Sequence, residues 1–300
     1  MNLLPDLSEL IALRYPAATL SFNPQYSGMG RLYGQQRSRQ RGRGLEFEEV
    51  RPYIAGDDVR HIDWRVTARR GRAHTRLYRE EKNLQVWVVC NLDSSMFFGS
   101  GLQLKSTLAV RLAALLCWIA HREGHRTGLL IHSGNSSHLQ QTHARQQGIL
   151  PLLQLLVERQ PVVVQPPSTT AFSQTLKRLV PLVSSGSLLL LLSDWLDDDP
   201  ELASLLTQLH QWSHPHLLSI SDPLERHGLP NGHYALGIPG AIQIWSGQRS
   251  RVRWPARWLG RQQQLQSLCT RLQLPLQQFS TTDNAATGLT RWLRPVALFK

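Results

Sequence analysis

Cysteine is scarce in this chain. The three in 300 residues, Cys90, Cys117 and Cys269, form neither a Cys-x-x-Cys pair nor an even framework, which argues against a disulfide scaffold and a cysteine-based zinc site. Cys90 and Cys117 lie in apolar runs and read as small buried hydrophobes, as suits a reducing cytoplasm. Long hydrophobic runs are missing as well. The longest, Leu188 to Leu192, falls far short of the roughly 20 residues of a membrane span. The opening MNLLPDLSEL has no basic segment and carries Pro5, Asp6 and Glu9, so it does not read as a secretion signal. A cytoplasmic protein without a span is expected.

Catalytic signatures are equally sparse. The 12 histidines include no His-Glu-x-x-His. His121 and His125 are four apart but fall where a helix ends at Gly124, and His214-Pro215-His216 reads as loop. Ser94 and Ser95 lack the Gly-x-Ser-x-Gly elbow of a hydrolase. Gly42-x-Gly44 has no strand before it and no helix after it, so it is no nucleotide fingerprint. An enzyme is not expected.

What the chain does have is positive charge and enough apolar residues to bury a full core. At 41% hydrophobic it suits one large domain, or one domain with a subdomain. A net charge of +12 should attract something acidic. Residues 31–76 hold the densest basic run, in which Arg37, Arg39, Arg41 and Arg43 alternate and offer a track for a phosphate backbone. Stacking aromatics are few around them, which makes nucleic acid the second choice of partner.

From residue 84 the pattern is α/β. Leu84–Leu92 and Ser187–Ser193 are near-continuous apolar runs, the mark of strands covered on both faces. Further strands are expected at Thr127–His132, Leu217–Ile220 and Leu276–Phe279, with a hairpin over Tyr234–Trp245 turning at Pro239-Gly240. Asp6 with Glu9, and Ser100 with Gln103, read as capping boxes that open helices to about Arg14 and Arg122. Other helices are expected over Gln147–Glu158, Ala171–Leu182, Pro200–Trp212 (capped by Asp199), Arg257–Leu272 and Ala285–Leu293. This alternation predicts a doubly wound, mostly parallel sheet. The expected division is an N-terminal helix and arginine/acid-rich segment over 1–83, then an α/β domain over 84–300 with a hairpin insertion near 233–246.

That N-terminal segment is dense in opposite charges. Arg43, Glu46, Arg51, Tyr53, Gly56, Asp57, Arg60, Asp63, Trp64 and Arg69 fall in a pattern of Gly42-x-Gly44-x-Glu46-Phe47, Arg51-x-Tyr53-x-x-Gly56-Asp57-x-x-Arg60-x-Ile62-Asp63-Trp64 and Ala68-Arg69. Many of these side chains should pair with one another, with Trp64 as a packing anchor. The pattern resembles the signature of domain-of-unknown-function family 58 (DUF58), and the likeness continues through Ser95-Met96-Phe97-Phe98-Gly99-Ser100, Lys105 and Asp222-Pro223-Leu224-Glu225. The resemblance implies a von Willebrand factor A-like (VWA) domain after the signature. It also implies a partner, a MoxR-type AAA+ ATPase or other VWA proteins, in chaperone-like assembly of protein complexes.

Two buried strands end in oxygen donors, Asn91 to Ser95 and Ser193-Asp194, at the sheet edge where open α/β folds bind ligands. Such donors suit a hard cation, Mg²⁺ or Mn²⁺. The VWA resemblance implies an adhesion-type metal site from Asp-x-Ser-x-Ser, a loop threonine and a later aspartate. Here those positions map to Asn91, Asp93, Ser95, Thr170 and Asp194. The site is degenerate, since an amide replaces the first carboxylate and a carboxylate replaces the first hydroxyl.

Overall fold

The computed structural model describes residues 3–22, 45–54, 59, 62–80, 84–142, 148–164, 166, 168–196, 199–238 and 241–293. Two compact units separate, one of residues 34–83 and one of 1–33 with 84–300. The boundary after residue 83 coincides with the expected one, while the N-terminal helices group with the α/β domain and not with the signature segment. Helix α1 (Leu7–Ala12) is capped by Asp6, whose carboxylate accepts the Glu9 N–H. Glu9 does not close a capping box. Its carboxylate takes the buried Arg111 guanidinium at 2.6 Å instead. With the short α2 (Arg14–Ala17), Leu10, Ala17 and Leu20 join the main core.

In the smaller unit β1 (Leu45–Pro52) pairs antiparallel with β2 (His74–Glu80), with a register shift between Phe47 and Glu49. Between them α3 (Trp64–Arg70) starts at Asp63, whose carboxylate accepts the N–H groups of Arg65 and Val66. It stops at Gly71, whose φ of 68° is the left-handed conformation glycine adopts at helix ends.

The larger unit is built on six strands: β3 (Gln85–Asn91), β4 (Arg126–Ser133), β5 (Ser136–Thr142), β6 (Ser187–Ser193), β7 (Ser213–Ser221) and β10 (Leu276–Ser280). Their order is β10-β7-β6-β3-β4-β5, parallel except for the antiparallel edge strand β5. The expected doubly wound, mostly parallel sheet is what forms. The antiparallel β5 was not expected from Ser136-Ser137-His138-Leu139-Gln140-Gln141-Thr142, where one apolar residue among polar ones leaves no alternation to read.

Alternate side chains on the central strands feed two cores. Val86, Val88 and Cys90 with Leu188, Leu190 and Leu192 face one, while Trp87, Val89, Leu189 and Leu191 face the other. The first is covered by α4 (Lys105–Arg122), buried along nearly its whole length, and by α5 (Leu150–Arg159). The second is covered by α6 (Phe172–Lys177) and α7 (Leu202–His210). Trp87 pairs in register with Gly128, and a Cβ there would lie 2.4 Å from the indole. Only glycine lets that ring lie flat over the neighbouring strand.

Several boundaries move for identifiable reasons. No capping box opens α4. Ser100 donates to Asp222, and the Gln103 amide reaches Thr281 O, Asp283 O and Arg111. The helix over 171–182 is shorter, ending at Lys177. His214-Pro215-His216 is strand and not loop, paired with Leu188 to Leu190. The pairing of β7 with β10 starts only at Leu217, so the missing Pro215 N–H costs no bond on that side. After the short α8 (Pro223–His227), β8 (His233–Ile238) and β9 (Ala241–Ser246) form the expected hairpin, with the turn residues 239 and 240 outside the described set. Helix α9 then runs over Gly247–Leu272, ten residues earlier than its amphipathic part, and α10 spans Ala285–Leu293.

Candidate functional site

The chain runs from β3 to β4 on one side and later to β6 on the other, so the strand order reverses at β3. Ligands in open α/β sheets bind beyond the carboxyl ends of strands at such a reversal. A cleft of about 1030 Å³ lies there. The sheet edge contributes Asp93, Ser95, Thr170, Asp199 and Glu225, and Phe97 and Phe98 follow from the turn after β3. The hairpin and α9 contribute Leu236, Trp245, Trp254, Arg257, Trp258 and Arg261.

Of the five residues assigned to metal, Asn91 and Asp194 have their side chains occupied by the protein itself. Asn91 donates its amide N–H to Ser193 Oγ at 3.1 Å, and its Oδ1 accepts the Asp93 N–H. Asp194 Oδ2 accepts from the Lys105 ammonium at 2.7 Å. Thr170 donates its N–H to Ser168 Oγ at 3.0 Å and lines the cleft. Asp93 is 8% exposed, and its Oδ2 accepts the Ser168 N–H at 3.3 Å. Its Oδ1 is buried without a partner, and so is Ser95 Oγ.

Lys105 is the residue the site prediction missed. It is the first residue of α4, fully buried, and also reaches Glu225 Oε1 at 2.6 Å. Burial alone would lower its pKa, but Asp194 and Glu225 override that and raise it, so it is an ammonium at neutral pH. Glu225 is fixed in turn by a capping box in which its other oxygen accepts the Asp222 N–H. Asp222 accepts from Ser100 N–H and Oγ, Thr281 Oγ1 and Leu224 N–H. Burial opposes ionisation of Asp222, and these donors outweigh it and lower its pKa. The signals in the sequence were a lysine opening a largely apolar helix and the place of Lys105 and Glu225 in the family likeness. Beside Asp194, Trp195 has a φ of 55°, strained for a bulky residue and common at functional sites.

This donor set does not suit Mg²⁺ or Mn²⁺. A hard divalent ion wants about six oxygens. Here one carboxylate position is an amide with both atoms engaged, and Asp194 already faces an ammonium. Among the described residues no group of three or more His, Cys, Asp or Glu is arranged to hold a metal.

In the signature segment Arg43, Gly56, Asp57 and Arg60 lie outside the described residues, and Glu46 is described by its backbone alone in β1. Asp63 is the cap of α3, and Tyr53 donates its N–H to Ala73 O at 2.8 Å. Arg51 donates to Pro52 O. Trp64 is no packing anchor. It is 71% exposed, because the first position of α3 faces outward. Arg69 is exposed in the last turn of α3, as are Arg65 and Arg70 on the same helix.

The larger unit is thus a doubly wound α/β domain with a cleft of mixed polar and aromatic lining at its strand reversal. The chain belongs to the family described as "Protein of unknown function DUF58", whose model matches residues 49–241. It is similar to uncharacterized proteins of Mycobacterium bovis and Mycobacterium tuberculosis, 38% identical over 105 residues, 35% of this chain. The match spans only 33% of the length of those relatives. Among solved structures it is similar to the conserved hypothetical protein BatB of Bacteroides thetaiotaomicron, with 9% identity and a TM-score of 0.47, over 69% of this chain and 96% of that one. It is also similar to a von Willebrand factor type A protein of Catenulispora acidiphila, with 10% identity and a TM-score of 0.37, over 73% of this chain and 43% of that one. Among the described residues no helix is long and apolar enough to cross a membrane.

Proposed function

We propose that this protein is a non-enzymatic interaction and assembly factor that uses the cleft at the sheet edge to hold a partner protein. The observation that carries this reading is the pairing, in one cleft, of unsatisfied polar atoms with an aromatic wall, as binding sites combine a few orienting groups with apolar surface. The chemistry of the cleft argues the same way. Among the described residues the Ser95 hydroxyl has no hydrogen-bond partner that could act as its base, and His132 spends Nδ1 on Thr175 Oγ1 at 2.8 Å. By its resemblance to DUF58 proteins, the partner is a MoxR-type AAA+ ATPase, and the pair acts in chaperone-like assembly of protein complexes in the cytoplasm. The test is a pull-down of the cognate ATPase by the full chain, with and without Mg²⁺ and nucleotide. Capture that a blocking substitution in the cleft abolishes supports the reading. Failure to recover the ATPase under every condition counts against it.

A further inference from the structure

We infer that the cleft receives a basic side chain, a lysine or arginine of the partner protein, on Asp93 and Ser95 between its aromatic walls. This rests on the interaction reading and names the chemistry of what is held. A metal site of the adhesion type engages an acidic side chain through its cation. Here the polarity is reversed.

The first ground is the pair of bare acceptors. Asp93 is more than nine-tenths buried, yet its Oδ1 has no donor, and the Ser95 hydroxyl is buried without a partner beside it in sequence. Both residues line the cleft. A buried carboxylate oxygen without a donor is costly, and proteins keep such a group where something else supplies the donor.

The second ground is what the neighbouring groups have left to give. Lys105 binds both Asp194 and Glu225 from within the fold, one ammonium between two carboxylates, and Asn91 spends its amide on Ser193 and Asp93. What remains suits an ammonium or guanidinium, which needs only a few acceptors. It falls well short of the oxygen shell of a divalent ion.

The third ground is the wall. Phe97, Phe98, Trp245, Trp254 and Trp258 line the same cleft, and aromatic faces attract cations. The protein already uses one of them in this way, since the Arg226 guanidinium lies over the Trp258 ring at 4.8 Å. Asp199 and Glu225 add negative charge at the sheet edge of the cleft, in a chain whose net charge is +12. Arg257 and Arg261 enter from α9. They place the basic residue of the partner at the sheet edge and favour an acidic or carbonyl group next to it.

The experiment uses the full chain in EDTA and a blocked pentapeptide, Ala-Ala-Arg-Ala-Ala, with tryptophan fluorescence as the readout. Two control peptides carry citrulline or glutamate at the central position. The expected result is saturable binding of the arginine peptide in the millimolar range, weakened about tenfold or more by citrulline and by Asp93→Asn. Ser95→Ala should weaken it less, and Mg²⁺ should leave it unchanged. The thermal midpoint of Asp93→Asn should equal or exceed that of the wild type, because the substitution removes an unpaired buried charge. The inference is overturned by equal binding of citrulline or glutamate peptides, by a dependence on Mg²⁺, by unchanged binding in folded Asp93→Asn, or by no saturable signal up to about 10 mM. ATPase capture that survives in Asp93→Asn, with no arginine-peptide binding, would sink this inference and leave the interaction reading standing. Peptide binding without ATPase capture would do the reverse.

Discussion

Replacing Lys105 with methionine should destabilise this protein more than almost any other single change at the sheet edge. The ammonium sits 2.7 Å from Asp194 and 2.6 Å from Glu225, whose side chains are 1% and 15% exposed. Methionine preserves most of the volume, so packing is a minor part of the cost. The variant leaves two carboxylates facing each other with no counter-charge, and removing one partner of a buried pair costs about 3–5 kcal/mol. At about 2–4 °C per kcal/mol for a domain of this class, the midpoint should fall by about 6–20 °C near pH 7. The pH dependence provides an independent check. The folded-state pKa of Lys105 is raised, so its contribution is complete below the ordinary lysine value of about 10.4 and is lost as pH rises through the folded value. Alkaline melts of the wild type should therefore show a loss that Lys105→Met lacks. Adding Asp194→Asn to the variant should restore part of the lost stability. A variant that melts within a degree of wild type, or one that keeps the wild-type alkaline slope, would refute this account of the cluster.

Other outcomes follow from the packing and the titrating groups. Gly128→Ala forces a methyl to within 2.4 Å of the Trp87 ring and should cost about 1–3 kcal/mol or more in a denaturant melt, with a shift in tryptophan emission. Asp222 has a lowered pKa, so its stabilisation is complete above about pH 4 and is lost as pH falls through the folded value. Asp222→Asn should lose about 2–3 kcal/mol at pH 7 and show a shallower acid slope than wild type. Cys90, Cys117 and Cys269 are buried, and burial pushes the Cys117 thiol up to about 12 and the Cys269 thiol up to about 11. Iodoacetamide should therefore label the native protein no faster than it unfolds, and rapid labelling at pH 7 would contradict their burial.

The fold was legible where the hydrophobic effect writes directly into sequence. Leu188 to Leu192 is a run that only a strand covered on both faces can bury, and β6 has the expected ends. The terminal helix Ala285–Leu293 was equally plain from its apolar periodicity. The errors fall where a side chain had a distant option. Ser100 and Gln103 have the spacing of a capping box, yet their partners, Asp222 and Thr281, lie more than a hundred residues away. Glu9 likewise leaves its own helix for Arg111. Local patterns state which bonds are possible, and tertiary contacts decide which are made. His214-Pro215-His216 read as loop, yet it is strand, because the missing Pro215 N–H costs a bond only where a neighbouring strand asks for one.

The site was legible as a place and not as a chemistry. Asp93, Ser95 and Thr170 line the cleft at the strand reversal, while Asn91 and Asp194, at the ends of β3 and β6, are tied to Ser193 and Lys105. Their chemistry depends on a sixth residue that the motif does not contain. Once Lys105 is buried at the start of α4, Asp194 has its cation and a divalent ion at the same oxygens would meet a fixed positive charge. The two departures from the metal pattern then make physical sense together. An amide at 91 can bond Ser193 without adding negative charge, whereas a second carboxylate there would face Asp93 with no ion between them. The carboxylate at 93 keeps one oxygen for the protein and leaves one for whatever enters. A site that carries its cation internally has no use for a partner's acid as a sixth ligand, and the group that its remaining oxygens can satisfy is a partner's base.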